Sequence, residues 1–417
     1  MIHLRENSPL YHLHEMQYAA ISPLNFFANA SKTFHSHPLS PLAYTEYGRH
    51  MAAAAEVMER VTHRYGKPAF GITHSTYKGA RVDVTEEVVA QFPFCNLLHF
   101  KKAIPAKSAK QAKLLIVAPM SGHHSTLLRG TAIDLLPELD VYITDWKDAR
   151  NVSLAHGEFT LEDYISYTIE FTRMIGPDVH MLAVCQPSVP VLVAASVMNE
   201  RKDKDAPRSM TLIGGPIDTR VNPTKVNKMA EQKPLHWFES NVITRVPFNY
   251  PGFMRRVYPG FLQLSGFMQL NLDRHINAHK DLYKHLITGD GESASAHRKF
   301  YDEYLSVCDL PAEFYLDCIV QVFQKHLLPR GEFVYEGKKV KPELVTKTAL
   351  LTLEGELDDI SGVGQTEAAQ HLCKSLPANM RRHYLQKGVG HYGIFNGRKF
   401  REHVVPIIVD FINKHDG

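Results

Sequence analysis

A cysteine at an abrupt boundary between two kinds of sequence is the residue best suited to chemistry. An apolar run ends at Cys185, and QPSVP (186–190) follows, with prolines where the first turn of a helix would begin. Prolines fit that turn because most of its backbone N–H groups have no intrahelical partner to lose. A thiol there lies at the positive end of the helix dipole, which favours the thiolate that attacks carbonyl carbon. The competing interpretation is a buried core cysteine, since free cysteine is among the most buried residue types.

An aspartate and a histidine follow in the order nucleophile, acid, histidine that α/β-hydrolases use. Asp358 comes after one late apolar run, and His391 stands among glycines after the last one. We expect His391 to take the proton from Cys185 and return it to the leaving group, while Asp358 orients the imidazole. Asp359 and Asp218 are rival acids. The alternative for His391 is an ordinary loop histidine, in a chain that holds 24 histidines.

Acyl transfer also needs N–H donors for the oxyanion, one after the nucleophile and one from the loop after an early strand. The N–H of Gln186 fits the first role, and Met120 or Ser121 of the loop PMSGHH (119–124) fits the second. The alternative is a tight turn without catalytic duty. The two adjacent histidines of that loop suggest a metal, but neighbouring residues seldom point to one site and no carboxylate spacing supports it. We therefore expect no metal and no other cofactor.

Short β-branched runs separated by helical segments predict the elements that position these residues. The predicted strands are LLIVAP (114–119), VYITDW (141–146), VHMLAVC (179–185), MTLIGG (210–215), ALLTLE (349–354) and RHYLQK (382–387). A helix is predicted from its cap at Thr160 to Gly176. This alternation predicts an α/β fold in which helices cover both faces of a mostly parallel sheet. Ligands of such sheets lie beyond the carboxyl ends of the strands, where Cys185 is expected.

Three regions of different character indicate the domain organisation. Residues 1–95 carry helical signals and predict a helical N-terminal extension. Residues 96–218 and 334–417 hold the strand pattern of an α/β-hydrolase core. Residues 219–333 interrupt that pattern with an aromatic-rich segment. Because the insertion lies between two strands of one sheet, it predicts a helical lid.

Composition and charge exclude several classes of protein. A net charge of +3 is too mild for a dedicated nucleic-acid binder. Five scattered cysteines without a C-x-x-C spacing favour a reducing cytosol over a disulfide framework. The N-terminus lacks a signal-peptide pattern, and no window approaches the run of about 20 apolar residues that a membrane span requires. We expect a cytoplasmic protein with no nucleic-acid partner and no transmembrane segment; the oligomeric state stays open, a homo-oligomer included.

Several segments together resemble the intracellular poly(3-hydroxybutyrate) (PHB) depolymerases, cysteine-dependent α/β-hydrolases that mobilise storage polyester. The likeness extends over nearly the whole chain and rests on SPLYHLHEMQYAAISPLNFFA (8–28), AVCQPSVPVL (183–192), TLIGGPIDTRVNPT (211–224), EGELDDISGVGQT (354–366) and GVGHYGIFNG (388–397). It implies Cys185 as nucleophile, Asp358 as acid and His391 as base. It also implies attachment to cytoplasmic polyester granules and release of 3-hydroxybutyrate or short oligomers. Water, or the thiol of coenzyme A, would resolve the acyl-enzyme.

The chain departs from the G-x-S-x-G pattern of the fold at Ala183, Cys185 and Pro187. Because the glycines serve the close approach of strand and helix, we expect a local shift of the helix and an altered oxyanion geometry. Ser188 is a rival serine nucleophile.

The polyester also offers an explanation for the aromatic insertion. Such a chain is apolar and uncharged, so aromatic side chains could adsorb it or line a cleft. The candidate substrate-binding residues are Trp237, Phe238, Tyr250, Phe253 and Tyr258. The alternative is that most of these aromatics fill the core of the lid.

Two other functions compete with hydrolysis. A polyester synthase-like acyltransferase also uses cysteine, but synthases place glycines around it and this chain has none there. A granule-coating protein could keep the fold without activity. A cysteine, an acid and a histidine in the required order argue against that interpretation.

Overall fold

The computed structural model describes residues 10–105, 110–270 and 272–416. Residues 1–9 of the predicted extension lie outside the described residues, and with them Ser8 and Pro9 of the N-terminal segment that carries the resemblance. Among the described residues, no helix is both long enough and apolar enough to cross a membrane.

The centre of the molecule is a nine-stranded sheet in the order β1-β2-β3-β5-β4-β6-β7-β13-β14. The pairs β1–β2, β2–β3 and β3–β5 are antiparallel, and every pair from β5 across to β14 is parallel. The remaining strands form a three-stranded sheet, β10-β9-β8, and the hairpin β11–β12. In chain order the strands are β1 His74–Tyr77, β2 Ala80–Gln91, β3 Cys95–Lys102, β4 Lys113–Val117, β5 Asp140–Trp146, β6 Val179–Val184, β7 Ser209–Ile213, β8 Thr244–Arg245, β9 Arg256–Tyr258, β10 Leu310–Pro311, β11 Val334–Tyr335, β12 Lys338–Lys339, β13 Ala349–Gly355 and β14 Arg381–Gln386.

Some helices connect the parallel strands of the sheet, and others lie at the N-terminus and in the insertion between β7 and β13. They are α1 Leu10–Ser36, α2 Glu46–Thr62, α3 Arg129–Leu135, α4 Leu161–Ile175, α5 Ser188–Glu200, α6 Lys225–Gln232, α7 Leu235–Asn241, α8 Gly260–Leu270, α9 Leu272–Thr288, α10 Gly291–Tyr304, α11 Ala312–Asp317, α12 Ala368–Leu372 and α13 Val405–His415. The predicted cap of α4 is confirmed, because the Thr160 side chain accepts from the Asp163 N–H while the Asp163 carboxylate accepts from the Thr160 N–H.

The predicted strands and fold class are confirmed. The six predicted runs coincide with β4, β5, β6, β7, β13 and β14 to within two residues at each end. β6 and β7 are buried at every position. Since successive side chains of a strand point to opposite faces, a strand buried throughout needs cover on both faces. The sheet is therefore doubly covered, and its strand order is that of an α/β-hydrolase.

The N-terminal region is only partly helical, and the predicted helical extension is wrong beyond Thr62. Helices α1 and α2 pack against each other. Residues 74–102, however, form the strands β1, β2 and β3. In β2, Val82 and Val84 are shielded while their neighbours Arg81 and Asp83 are exposed. This alternation is the period of a half-buried strand, and the strong helical pattern upstream obscured it.

The insertion contains more than helices. Between β7 and β13 the chain forms α6–α11 together with the small strands β8–β12. Helix α9 contacts both α2 and α10, and α1 contacts β8. The N-terminal helices thus pack on the insertion, while the domain boundaries at 219 and 333 stay predictions.

Helix α5 packs closely against Gly215, just after the end of β7. A Cβ on Gly215 would collide with both the Cβ and the Oγ of Ser188, in the first turn of α5. In the G-x-S-x-G pattern, glycines at the positions of Ala183 and Pro187 permit the close approach of strand and helix. In this chain the close approach occurs at Gly215, which follows the neighbouring strand. Ser188 is fully buried by this contact.

We expect Gly215→Ala to lower the free energy of unfolding by about 1–3 kcal/mol or more, because the added methyl overpacks a rigid contact. The control is Gly66→Ala, where a Cβ would meet nothing within 4 Å; its effect should stay within about 0.5 kcal/mol. Chemical denaturation of both variants measures the difference. Equal stability of the two would show that α5 does not depend on this glycine.

Candidate active site

Cys185 occupies the turn between the end of β6 and the start of α5. Its φ of 67° lies in the left-handed region, which a non-glycine residue adopts only under constraint. The Cys185 N–H donates to the Ile213 carbonyl at 2.7 Å. The other four cysteines are buried, whereas Cys185 is partly exposed. This is the sharp strand-to-helix turn on which α/β-hydrolases hold their nucleophile.

The structure brings Cys185, His391 and Asp358 together. The Nδ1 of His391 lies 2.8 Å from the Oδ2 of Asp358, and the Cys185 side chain is close enough to the His391 ring to raise its pKa. The other carboxylate oxygen of Asp358 accepts the N–H groups of Ile360 at 2.9 Å and Ser361 at 2.8 Å. Because both carboxylate oxygens of Asp358 are engaged in hydrogen bonds, Asp358 fixes the orientation of the imidazole.

The pKa of His391 depends on its two neighbours. Burial lowers the pKa of His391, but the neighbouring Cys185 and Asp358 outweigh burial and hold that pKa well above the ordinary histidine value. Gly214, with a φ of 56°, leaves the room for this pair, since a Cβ there would lie 3.3 Å from both the Asp358 Oδ2 and the His391 Cε1. The site therefore favours an imidazolium between two acidic partners.

The rival residues lie in other environments. Asp359 is exposed. Both oxygens of Asp218 accept from the Arg220 guanidinium at 2.8 Å. Ser188 is fully buried beneath Gly215. None of the three has the contacts that Asp358 and Cys185 make with His391.

The candidate oxyanion donors Gln186 and Met120 lie side by side. The Met120 N–H donates to the side-chain oxygen of Gln186 at 3.4 Å, and the Gln186 amide nitrogen contacts the Cys318 sulfur at 3.7 Å. Of the two candidates in the early loop, Met120 makes this contact, while Ser121 beside it is half-buried. A substrate carbonyl that used the Met120 N–H would take the place of the Gln186 side-chain oxygen.

The two histidines of the loop 119–124, His123 and His124, are buried. The Nε2 of His123 lies 3.1 Å from the Tyr304 carbonyl. Burial lowers the pKa of His123 to about 4 and that of His124 to about 3. Both rings are therefore neutral near pH 7, and His123 ties the loop to α10.

One group of side chains in the described part of the chain has the spacing of metal ligands: Glu354, Glu367 and His383. The Glu354 carboxylate, however, already accepts the N–H groups of Gly364, Thr366 and Glu367 at 2.7–3.0 Å. These bonds direct it to the segment before α12, so its role is to hold that turn.

A cleft of about 770 Å³ reaches His391 between the loop after β14 and helices α9 and α10. Its walls include the aromatic side chains of Phe300, Tyr301, Tyr304 and Tyr392. Sequence reasoning missed these residues. The signal was present in KFYDEY (299–304), whose aromatic positions fall on one side of a helix.

The predicted substrate-binding aromatics do not line that cleft, so this expectation is corrected. They are Trp237, Phe238, Tyr250, Phe253 and Tyr258. Phe238 is only 1% exposed, in a small core of the insertion. The Tyr250 hydroxyl bonds the Glu15 carboxylate at 2.9 Å, and the Tyr258 ring packs 4.3 Å from that of Tyr315. The alternative, that such aromatics fill the lid core, holds for Phe238, with Trp237 and Tyr258 packed against the same core, whereas Phe253 is 49% exposed.

We expect Asp358→Asn to lower the pKa of His391, because one of the negative charges beside the imidazole is removed. An NMR pH titration of the ring measures it, with Asp359→Asn as the matched control. A raised folded-state pKa stabilises the fold below about pH 6.5, and this contribution is lost as the pH rises through the folded value. Asp358→Asn should weaken that dependence, and equal titration in both variants would contradict the assignment.

Comparison with known proteins adds a family to this geometry. Residues 214–416 match the family model described as PHB de-polymerase C-terminus. The matched region contains Asp358 and His391, and Cys185 precedes it. Comparison with curated proteins gave no match.

Solved structures with a similar course of the chain include other hydrolases. A thermophilic esterase from Thermogutta terrifontis is 12% identical, with 83% of this chain and 98% of that chain covered and a TM-score of 0.42. The alpha/beta hydrolase GrgF from Penicillium sp. sh18 is 13% identical, with 80% and 98% covered and a TM-score of 0.45.

The family match indicates ester cleavage. The strand order and the turn at Cys185 are those of the α/β-hydrolase scaffold. The chain is a PHB depolymerase-like ester hydrolase with the α/β-hydrolase fold.

Proposed function

We propose that the protein hydrolyses the ester bonds of intracellular PHB granules through a thioester on Cys185. The observation that carries this proposal is that His391, hydrogen-bonded to Asp358, lies beside Cys185, with the cysteine on a left-handed turn. The family match over residues 214–416 supports the polyester as substrate.

The first half of the reaction forms the acyl-enzyme. His391 holds the proton of the Cys185 thiol, and the sulfur attacks the carbonyl carbon of an ester. The oxyanion accepts hydrogen bonds from the N–H groups of Gln186 and Met120. Within the part of the chain that the structure describes, the Gln186 N–H has no other acceptor. The intermediate collapses, His391 protonates the departing alkoxide, and the shortened polymer leaves as an alcohol.

The second half releases the acid. His391 takes a proton from water, and the hydroxide oxygen attacks the thioester carbonyl. Collapse breaks the carbon–sulfur bond and returns the proton to the sulfur, so that a 3-hydroxybutyrate unit or oligomer leaves with a free carboxyl group. The aromatic part of the cleft wall suits the polyester, because Phe300, Tyr301, Tyr304 and Tyr392 offer apolar contacts to its methyl branches.

Coenzyme A is a second candidate acceptor. Three cationic side chains belong to the cleft wall: Arg274, Arg398 and Lys399. These side chains would bind the phosphate groups of coenzyme A while its thiol replaces water in the second half of the reaction. The product would then be a coenzyme A thioester instead of an acid. The five unpaired cysteines suit a reducing cytoplasm, where the granules and this acceptor are found.

We expect Cys185→Ala to reduce acid release from amorphous PHB granules by about three orders of magnitude, because the nucleophile is lost. The product, identified by mass with and without coenzyme A, distinguishes hydrolysis from thiolysis. Cys373→Ala, at a buried cysteine outside the site, and Ser188→Ala, at the rival serine, are the controls and should stay within about twofold of wild type.

Four outcomes would contradict parts of the proposal. Full activity of Cys185→Ala would make the cysteine a core thiol. Loss of activity in Ser188→Ala alone would move the nucleophile. Granule binding without acid release by the wild type would favour the coating protein, and polymer extension would favour the synthase-like acyltransferase.

A further inference from the structure

Helix α1 exposes a long surface without ionic charge. It contains 27 residues and is therefore about 40 Å long. Its two carboxylate or ammonium side chains, Glu15 and Lys32, turn towards α2 and the segment after it, where Glu15 pairs with Arg64 at 2.6 Å and Lys32 with Glu59 at 3.4 Å. The 17 exposed residues of α1 include no Asp, Glu, Lys or Arg. In the chain as a whole, 22% of residues are charged, so this side of α1 is depleted of charge.

Large apolar side chains follow one side of α1 from end to end. We define the α1 stripe as Leu13, Met16, Leu24, Phe27 and Phe34, which are between 47% and 67% exposed. Their spacings of 3, 8, 3 and 7 residues keep them on one face of a helix. Tyr11, on the opposite side, is buried, and so is Ala28 at the margin of the stripe. The helix therefore carries apolar side chains both inward and outward, and only the inward face has a partner among the described residues.

We propose that the α1 stripe adsorbs the protein to the uncharged polyester surface. This inference rests on the proposed function, which supplies the polymer as partner. A polyester presents methyl groups and carbonyl acceptors and no charge, and the exposed side of α1 matches it with apolar side chains and the exposed amides of Gln17 and Asn29. Exposed apolar surfaces of this extent mark interaction sites.

Charge disfavours the other occupants. Helices that lie on anionic membranes carry Lys and Arg on their polar face, and the exposed side of α1 has none. Paired helices in coiled coils are specified by charges that flank the apolar seam. The positions beside the α1 stripe, such as His12, Gln17 and Thr33, carry no carboxylate or ammonium group, and Pro23 lies inside the helix. The stripe therefore suits a neutral apolar phase.

The α1 stripe is mechanically connected to the cleft. Helix α1 packs on α2, α2 packs on α9, and α9 contributes Arg274 and Ala278 to the cleft wall. Neighbouring helices are about 8–10 Å apart, so adsorption through α1 would hold the cleft within about 20 Å of the polymer. The Tyr11 hydroxyl donates to the buried Asp309 carboxylate at 2.7 Å, which anchors α1 to the insertion.

The test compares two double variants in a Cys185→Ala background, which leaves the polymer intact. Met16→Lys with Phe27→Lys places charges in the α1 stripe. Leu154→Lys with Met174→Lys, at residues exposed by 50% and 48%, adds the same charge elsewhere. We expect the first pair to weaken co-sedimentation with amorphous PHB granules at least about tenfold and the control pair to leave it within about twofold. With Cys185 restored, both pairs should keep wild-type turnover of a soluble short-chain ester.

Each remaining outcome overturns the inference or supports it. Equal granule binding by both pairs would overturn it. A wild-type dimer that only the stripe variant dissociates, with granule binding unchanged, would assign the stripe to a second copy. Equal affinity for neutral phosphatidylcholine vesicles would remove the polyester as specific partner. If binding depends on the stripe while the enzyme with Cys185 releases no acid, the surface stands and the hydrolytic proposal fails.

Discussion

The left-handed turn at Cys185 is the constraint on which the rest of the site depends. A cysteine at positive φ costs about 1–3 kcal/mol and persists only where its surroundings determine it. Two contacts do so here: the Cys185 N–H bonds the Ile213 carbonyl, and Ser188 at the start of α5 is packed against Gly215. Ile213 is the last residue of β7, and Gly215 lies in the turn directly after it. The chain direction at the nucleophile is thus set by the strand beside it, and the turn raises the thiol beyond the carboxyl edge of the sheet.

The same strand end makes room for the acid and the base. Gly214 and Gly215 are consecutive, but they face different neighbours. The first leaves space for the pair Asp358 and His391, and the second leaves space for α5. An α/β-hydrolase with the usual G-x-S-x-G pattern supplies this freedom from the nucleophile's own turn. In this chain, Ala183 and Pro187 occupy the glycine positions of that pattern. Gly214 and Gly215, directly after the next strand, leave the space instead. Cys185 and its partners therefore depend on residues that no local motif around the cysteine contains.

The sequence predicted the parts of the fold that local patterns determine. Strands buried on both faces are continuous apolar runs, so β4, β6 and β13 could be recognised, and chain order then related Asp358 and His391 to Cys185. Strands β1–β3 were missed because half-buried edge strands have weaker patterns. The aromatic residues were misassigned for another reason. Phe238 and Tyr304 belong to similar local sequences, and only tertiary packing decides that the first fills a core while the second borders the cleft.

The buried polar groups beneath α1 argue that this helix is a fixed part of the molecule. Burial, with a further contribution from Asp309, raises the pKa of Tyr11 far above its ordinary value, so its hydroxyl keeps its proton and donates to that carboxylate. Arg150, itself ion-paired with Asp148, lies close enough to balance the buried charge. Detachment of α1 would remove the Tyr11 donor from Asp309, leaving only the Gly260 N–H, among the described residues, on the other carboxylate oxygen, and would expose the buried Tyr11 ring. Under the proposed adsorption, force from a polymer surface would therefore be transmitted to the insertion and its cleft, because separating α1 from the insertion would break these buried contacts.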